Sequence, residues 1–178
     1  MAVSETTVKA RPGANPVPGR RLPFAIPAGR LAAKTAPKAA RTILTEPRTG
    51  SIEEIEAHKR ALVVTYRKDG TPVPTPVWAA EGGGRLYVRS ERTCGKVKRL
   101  RKDNRVLIAP CTVRGKPLGP PFEATGRLID PHEEPYAERT LSRRYTIGRA
   151  LFEWTMDRLH IDMGYLEIVP EKWPVASK

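Results

Sequence analysis

The chain predicts a mainly β fold with short helices, a small antiparallel barrel of six strands. Six short runs rich in β-branched and apolar residues recur between residues 61 and 169, each of strand length. Gly, Pro and Asp punctuate them, and most of the intervening segments are too short for the crossovers a parallel sheet requires. With 178 residues, 39% hydrophobic and 29% charged, the chain supports one sizeable core.

Residues 1–50 carry seven of the 18 prolines and no sustained period of 2 or 3.6, which predicts a disordered basic arm before a folded domain at 51–178. Arg20-Arg21 hints at a twin-arginine signal. Pro27, Gly29 and Arg30 interrupt the apolar stretch such a signal needs, so export is not expected. At Ser51 a helix start is predicted, with Glu53, Glu54 and Glu56 favouring the positive end of its dipole. "ALVVTY" (61–66) is the first strand, and Asp69-Gly70 turns it back. "VPTPVWAA" (73–80) is extended but crowded with Pro72, Pro74 and Pro76. Proline cannot donate to a ladder, so this strand belongs at a sheet edge with one side free to face a ligand.

The glycines of "EGGG" (81–84) lead into the strand "RLYVRS" (85–90). A short helix then opens at Gly95 with Val97 and Leu100 inward and ends near Asn104. "RVLIAPCT" (105–112) and "FEATGRLI" (122–129) are the next strands. Asp130, Pro131 and Glu133 predict a helix over 131–144, 148–160 reads as another, and "GYLEIV" (164–169) closes the sheet.

The net charge is +13, with +7 in the first fifty residues and +6 beyond. Such a balance favours anionic partners. The stretch "ERTCGKVKRLRKDNR" (91–105) concentrates seven basic residues. As a reader of nucleic acid it is poor, because the helix is about two turns long and no zinc pattern or aromatic RNA-binding strand accompanies it. The arm alone could touch nucleic acid weakly. A Walker loop is excluded, since Val97 stands where Ser or Thr would hold magnesium. Two readings stay open: a solvated basic helix, or a clamp for one phosphate built from the backbone after Cys94, the Thr93 hydroxyl and Lys96. Trp78 reads equally as core or as the wall of a flat ligand.

Cys94 and Cys111 show neither metal-ligand spacing nor a disulfide framework, which points to a reducing cytoplasm. No apolar run reaches the roughly 18 residues of a membrane span. His58, His132 and His160 share no spacing, no metal site is expected, and no catalytic side chain is nominated.

"YRKDGTPVPTPVW", "RLYVRSERTCGKVKRLRKDNRVLIAPC" and "FEATGRLI", in this order, resemble the split-β-barrel superfamily of pyridoxamine 5'-phosphate oxidase. Within it they resemble the branch of coenzyme F420 (deazaflavin)-dependent oxidoreductases. The resemblance covers roughly residues 55–170 and implies a homodimer of six-stranded, FMN-binding-like split barrels with cofactor sites in the dimer groove. Carried onto this chain, it makes Lys96 the phosphate-binding lysine, with Thr93, Cys94 and Gly95 in the phosphate loop and Arg89 on the adjoining strand. It also lines the ring with Thr75, Pro76, Val77 and Trp78. Cys94 departs from the serine common before Gly-Lys. The implied activity is hydride transfer from reduced deazaflavin to a quinone- or enone-like acceptor. The alternatives are an FMN-dependent oxidase or reductase, or a non-catalytic protein binding flavin, haem or nucleic acid. The basic excess, with Arg92, Lys98 or Arg99 free to meet an oligoglutamate tail, favours F420 over FMN.

Overall fold

The computed structural model describes residues 38–145 and 161–172. Seven antiparallel strands stand among the described residues: β1 (Ala61–Tyr66), β2 (Pro72–Val77), β3 (Ala80–Gly82), β4 (Arg85–Glu91), β5 (Arg105–Pro110), β6 (Phe122–Leu128) and β7 (Met163–Pro170). They form one sheet in the order β2-β1-β5-β6-β7-β4-β3. Val77 of β2, near one edge, shares a buried cluster with Leu86 and Val88 of β4, near the other. The sheet therefore curls on itself, and that cluster fills its inside.

The sequence predicts six strands, and the structure has one more. Ala80, read as the end of the strand 73–80, and Glu81 and Gly82, read as part of a glycine turn, form a strand of their own that pairs with β4 as Ala80↔Tyr87, Glu81↔Leu86 and Gly82↔Arg85. The turn shrinks to Gly83 and Gly84, whose φ of 64° and 75° suit glycine far better than any other residue. β2 is at the edge, paired only with β1, and it stops at Val77, leaving Trp78 beyond the strand.

Strand parity sorts the side chains. Ala61, Val63, Val106, Ile108, Leu86, Val88, Leu166 and Ile168 face inward. On the outer face, Leu62, Val64, Leu107, Ala109 and Cys111 form a second cluster with Ala40 and Ile43. The last two lie on a 3-10 turn, Lys38–Leu44. The arm expected over residues 1–50 thus joins the folded unit from residue 38. Ile43 is fully buried, which contributes roughly 1.5–3 kcal/mol. Residues 1–37 lie outside the described residues, as does the helix expected over 148–160 with His160.

Three helices complete the described fold: α1 (Ile52–Ala57), α2 (Gly95–Leu100) and α3 (Glu134–Arg144). α2 buries Lys96, Val97 and Leu100 and packs against β1 and β6. Gly126 makes this approach possible, since a Cβ there would stand 3.0 Å from Val106 and 3.3 Å from Leu100. α3 covers Tyr87, Ile129 and Tyr165 on the outer face with Ala137 and Leu141. It starts at Glu134 rather than Pro131, after a turn in which the Glu133 N–H donates to Asp130 O at 2.9 Å. The Glu133 carboxylate accepts two bonds from Arg127, at 2.6 and 2.8 Å, and one from the Asp130 backbone N–H at 3.1 Å. Arg127 also donates to Glu167 at 2.7 Å, and Arg85 does so at 2.6 Å. The buried Glu167 carboxylate is thereby paired on both sides.

Candidate functional site

Residues 89–99 run from the end of β4 through a tight turn into α2. The Cys94 N–H donates to Glu91 O at 3.2 Å and the Lys98 N–H to Cys94 O at 3.1 Å, so Cys94 becomes the residue that opens the helix. Its side chain makes no capping bond. Instead its Sγ lies 3.3 Å from Ser90 Oγ, on the face that β4 turns inward. The exposed Thr93 hydroxyl donates to the Glu91 carboxylate at 2.5 Å, so an acid occupies the hydroxyl assigned to a phosphate.

Lys96 is only 9% exposed and makes no ion pair with a described carboxylate. Burial holds its ammonium below the usual lysine range, with the charge of Cys94 opposing that shift and Arg99 adding to it. Burial likewise lowers Arg99, with Cys94 again opposing, and its Nε donates to the fully buried Thr65 hydroxyl at 2.7 Å. The buried Lys96 and the Thr65-bound Arg99 thus both stand on α2, just beyond Cys94. Thr65, hidden inside the apolar run "ALVVTY", has no sequence signal of its own.

β2 leads away from this cluster. Val73 lies opposite Thr65, Thr75 opposite Val63 and Val77 opposite Ala61, so Val73, Thr75 and Val77 share the inner face. Pro72, Pro74 and Pro76 face outward, with Pro76 beside Gly115 and Leu62. The bond from Cys111 N–H to Arg60 O shows that the even-numbered residues of β1 turn their backbone groups toward β5. The odd-numbered ones therefore pair with Val73, Thr75 and Val77. Consequently the free edge of β2 carries the carbonyls of three prolines and no N–H. Only a hydrogen-bond donor can be held there.

The remaining candidates are set apart. Arg89 pairs in register with Tyr165, a residue of the outer cluster under α3, whereas Ser90 and Cys94 are on the inner side. Strand alternation thus separates Arg89 from the Lys96 cluster. Trp78 stacks on Tyr145 at 5.8 Å, and Arg60 stands 5.2 Å over its ring. The Tyr145 hydroxyl lies 2.7 Å from Lys59 O and 2.8 Å from Ala79 O. Arg144 donates to the carbonyls of Ile55, Glu56 and His58, satisfying the end of α1. Arg92 is held by Glu134 and, at 3.2 Å, by Asp162, and so is not free to meet a ligand, while Lys98 is exposed. A 550 Å³ groove at the far end of α2 is lined by Arg101, Lys102, Arg105 and Lys172 together with Asp103 and Glu171; Arg105 is paired to Asp103 at 2.8 Å, and Lys172 is the basic member that lies outside the stretch 91–105.

No protein-family model matches the chain, and no curated protein does. Solved structures do. A haem storage protein of Vibrio cholerae is similar at TM-score 0.51 and 14% identity, over 68% of this chain and 87% of that one. A conserved hypothetical protein of Mycobacterium tuberculosis is similar at 0.50 and 17%, over 71% and 88%. A candidate 5-nitroimidazole antibiotic resistance protein of Bacteroides thetaiotaomicron is similar at 0.50 and 17%, over 68% and 81%. The fold this chain shares with them is a curled antiparallel half-barrel of the split-barrel type. At these identities the likeness establishes the fold alone. Among the described residues no helix is long and apolar enough to cross a membrane.

Proposed function

We propose that this split barrel binds the deazaflavin coenzyme F420 and uses it to reduce a quinone- or enone-like small molecule. The observation that carries the proposal is Lys96. A lysine only 9% exposed, with no ion pair to a described carboxylate, is costly to keep charged, and a ligand phosphate would offset that cost. Arg99, fixed by Thr65, adds a second cation to the same anion. The Arg99 guanidinium lies over Gly95, its Nη1 within 3.0 Å of where a Cβ would stand. F420 is favoured over FMN because its diester and oligoglutamate tail would also use Lys98 and the basic groove beyond α2, through salt-sensitive contacts.

When bound, the coenzyme supplies the hydride. The chain's own residues bind, orient and exclude water. Thr75 and Val77 offer an inner wall. The Pro74 and Pro76 carbonyls accept only from a donor such as a ring N–H, so acceptor atoms of a ring must find their donors elsewhere. Trp78, already stacked on Tyr145 and covered by Arg60, closes the end of the site more readily than it offers a free face. A proton must also reach the product; Tyr66 and Tyr87 belong to outer clusters, which leaves Tyr145 or solvent to supply it. Burial holds its phenol above the usual range, so it stays protonated at neutral pH. A homodimer with sites in the groove between copies fits this reading.

The test is a parallel fluorescence titration of cofactor-free protein with F420 and FMN at moderate salt. Tight F420 binding with weak FMN binding is expected; the reverse order would move the protein to FMN chemistry.

A further inference from the structure

Arg99 is fixed at two points. Its Nε donates to the buried Thr65 hydroxyl at 2.7 Å, its one hydrogen bond to a described residue, and its Nη1 lies 3.0 Å from where a Cβ on Gly95 would stand. The guanidinium thus spans from Gly95, next to Lys96, to Thr65 on β1. Its Nη1 and Nη2 N–H groups, a rigid fork, remain for an oxyanion. Lys96, only 9% exposed, brings three further donors and makes no hydrogen bond to a described residue.

β1 adds a third cation. Ala61 and Val63 set its inner parity, and Thr65 keeps it, opposite Val73. The Arg67 N–H donates to Thr71 O at 2.9 Å, which carries the register one step past Tyr66↔Pro72. Arg67 therefore leaves the backbone on the face of Thr65, about 7 Å farther along. It is exposed and forms no ion pair with a described carboxylate. Asp69 of the same turn accepts from the Thr71 N–H instead, at 3.0 Å. Burial lowers Arg99, Cys94 opposes that shift and the charge of Arg67 adds to it, as fits guanidiniums within reach of each other.

We infer that Arg67 is a further ligand-binding residue and that the site takes a ligand with two consecutive anionic groups, the first on Lys96 and Arg99, the second between Arg99 and Arg67. Arg99, planar and anchored between the other two cations, serves both groups. The inference rests on Lys96 as the phosphate clamp and adds a ligand class to it. A diester followed by glutamate carboxylates, as in F420, belongs to that class, as does a diphosphate. A single terminal phosphate, as in FMN, leaves Arg67 unused.

The experiment titrates the full, cofactor-free chain calorimetrically with two ring-free probes, orthophosphate and pyrophosphate, at matched ionic strength. Wild type is expected to bind pyrophosphate at least about tenfold more tightly. Arg67→Met should lose about three- to tenfold in affinity for pyrophosphate and almost nothing for orthophosphate. Arg114→Met, which removes an equal charge from the exposed loop after β5, should change neither. A wild type without preference for pyrophosphate would overturn the inference. So would Arg67→Met with no loss or with equal losses for both probes, or Arg114→Met with as large a loss. Lys96→Met separates the two readings: weakened orthophosphate binding keeps the clamp even where Arg67→Met has no effect, whereas unchanged binding of both probes ends the clamp and this inference with it.

Discussion

Lys96 shows how one buried charge couples stability to binding. Its folded-state pKa is lowered from 10.5, chiefly by burial, so the charged form is disfavoured by folding. The penalty is complete below the folded pKa and fades as pH rises from there toward 10.5. Lys96→Met keeps the length of the side chain and removes the charge. In the absence of ligand it is expected to raise stability by about 0.5–2 kcal/mol in urea melts at pH 7, with the gain shrinking in alkaline buffer. A loss of stability would mean that the ammonium is already satisfied. The place of Lys96 in the first turn of α2 was legible, because Thr-Cys-Gly opens the helix just before it. Its burial was not, since that depends on β1 and β6 closing over α2. The outward direction of Arg89 could have been read from parity alone: Leu86, Val88 and Ser90 share a face, so Arg89 cannot.

At the scale of elements, the prolines of β2 decide what its edge can do. They announced an edge strand in the sequence, and the register adds that the edge offers acceptors only. Such an edge cannot template a further strand. Replacing Pro74 and Pro76 by alanine together returns two donors to the free side. Light scattering should then show self-association beyond the wild-type state, and unaltered size at high concentration would contradict the register argument. β3 escaped the sequence reading because "EGGG" carries no strand propensity and forms only by pairing with β4. The 3-10 turn of residues 38–44 escaped because its two anchors, Ala40 and Ile43, are too few and too near prolines to show a period. Ile43→Ala should cost about 2–5 kcal/mol in a denaturant melt; a negligible cost would return this segment to the arm.

For the whole molecule, three apolar clusters divide the work. The inner one closes the barrel, one outer cluster secures residues 38–44, and the other seats α3. The last is tied to the sheet through Glu133, Arg127 and Glu167. Arg127 and the Asp130 backbone N–H pull the Glu133 carboxyl from 4.5 down to about 2. Its contribution is therefore present above pH 4.5 and is lost as pH falls through about 2. Glu133→Gln should flatten the acid limb of the stability curve between those values while leaving neutral pH nearly unchanged. An identical acid limb in the variant would show that the pair is too well solvated to matter. The chain's basic excess, by contrast, is a whole-molecule property that favours anions without choosing among them.

The central claim is that Lys96 holds the phosphate of a deazaflavin cofactor. The most direct test compares wild type and Lys96→Met in binding F420 and the same deazaflavin chromophore without its phosphate. The account predicts a loss of about 1.5–3 kcal/mol for the phosphorylated cofactor and almost none for the bare chromophore. Equal affinity of the two proteins for F420 would contradict it.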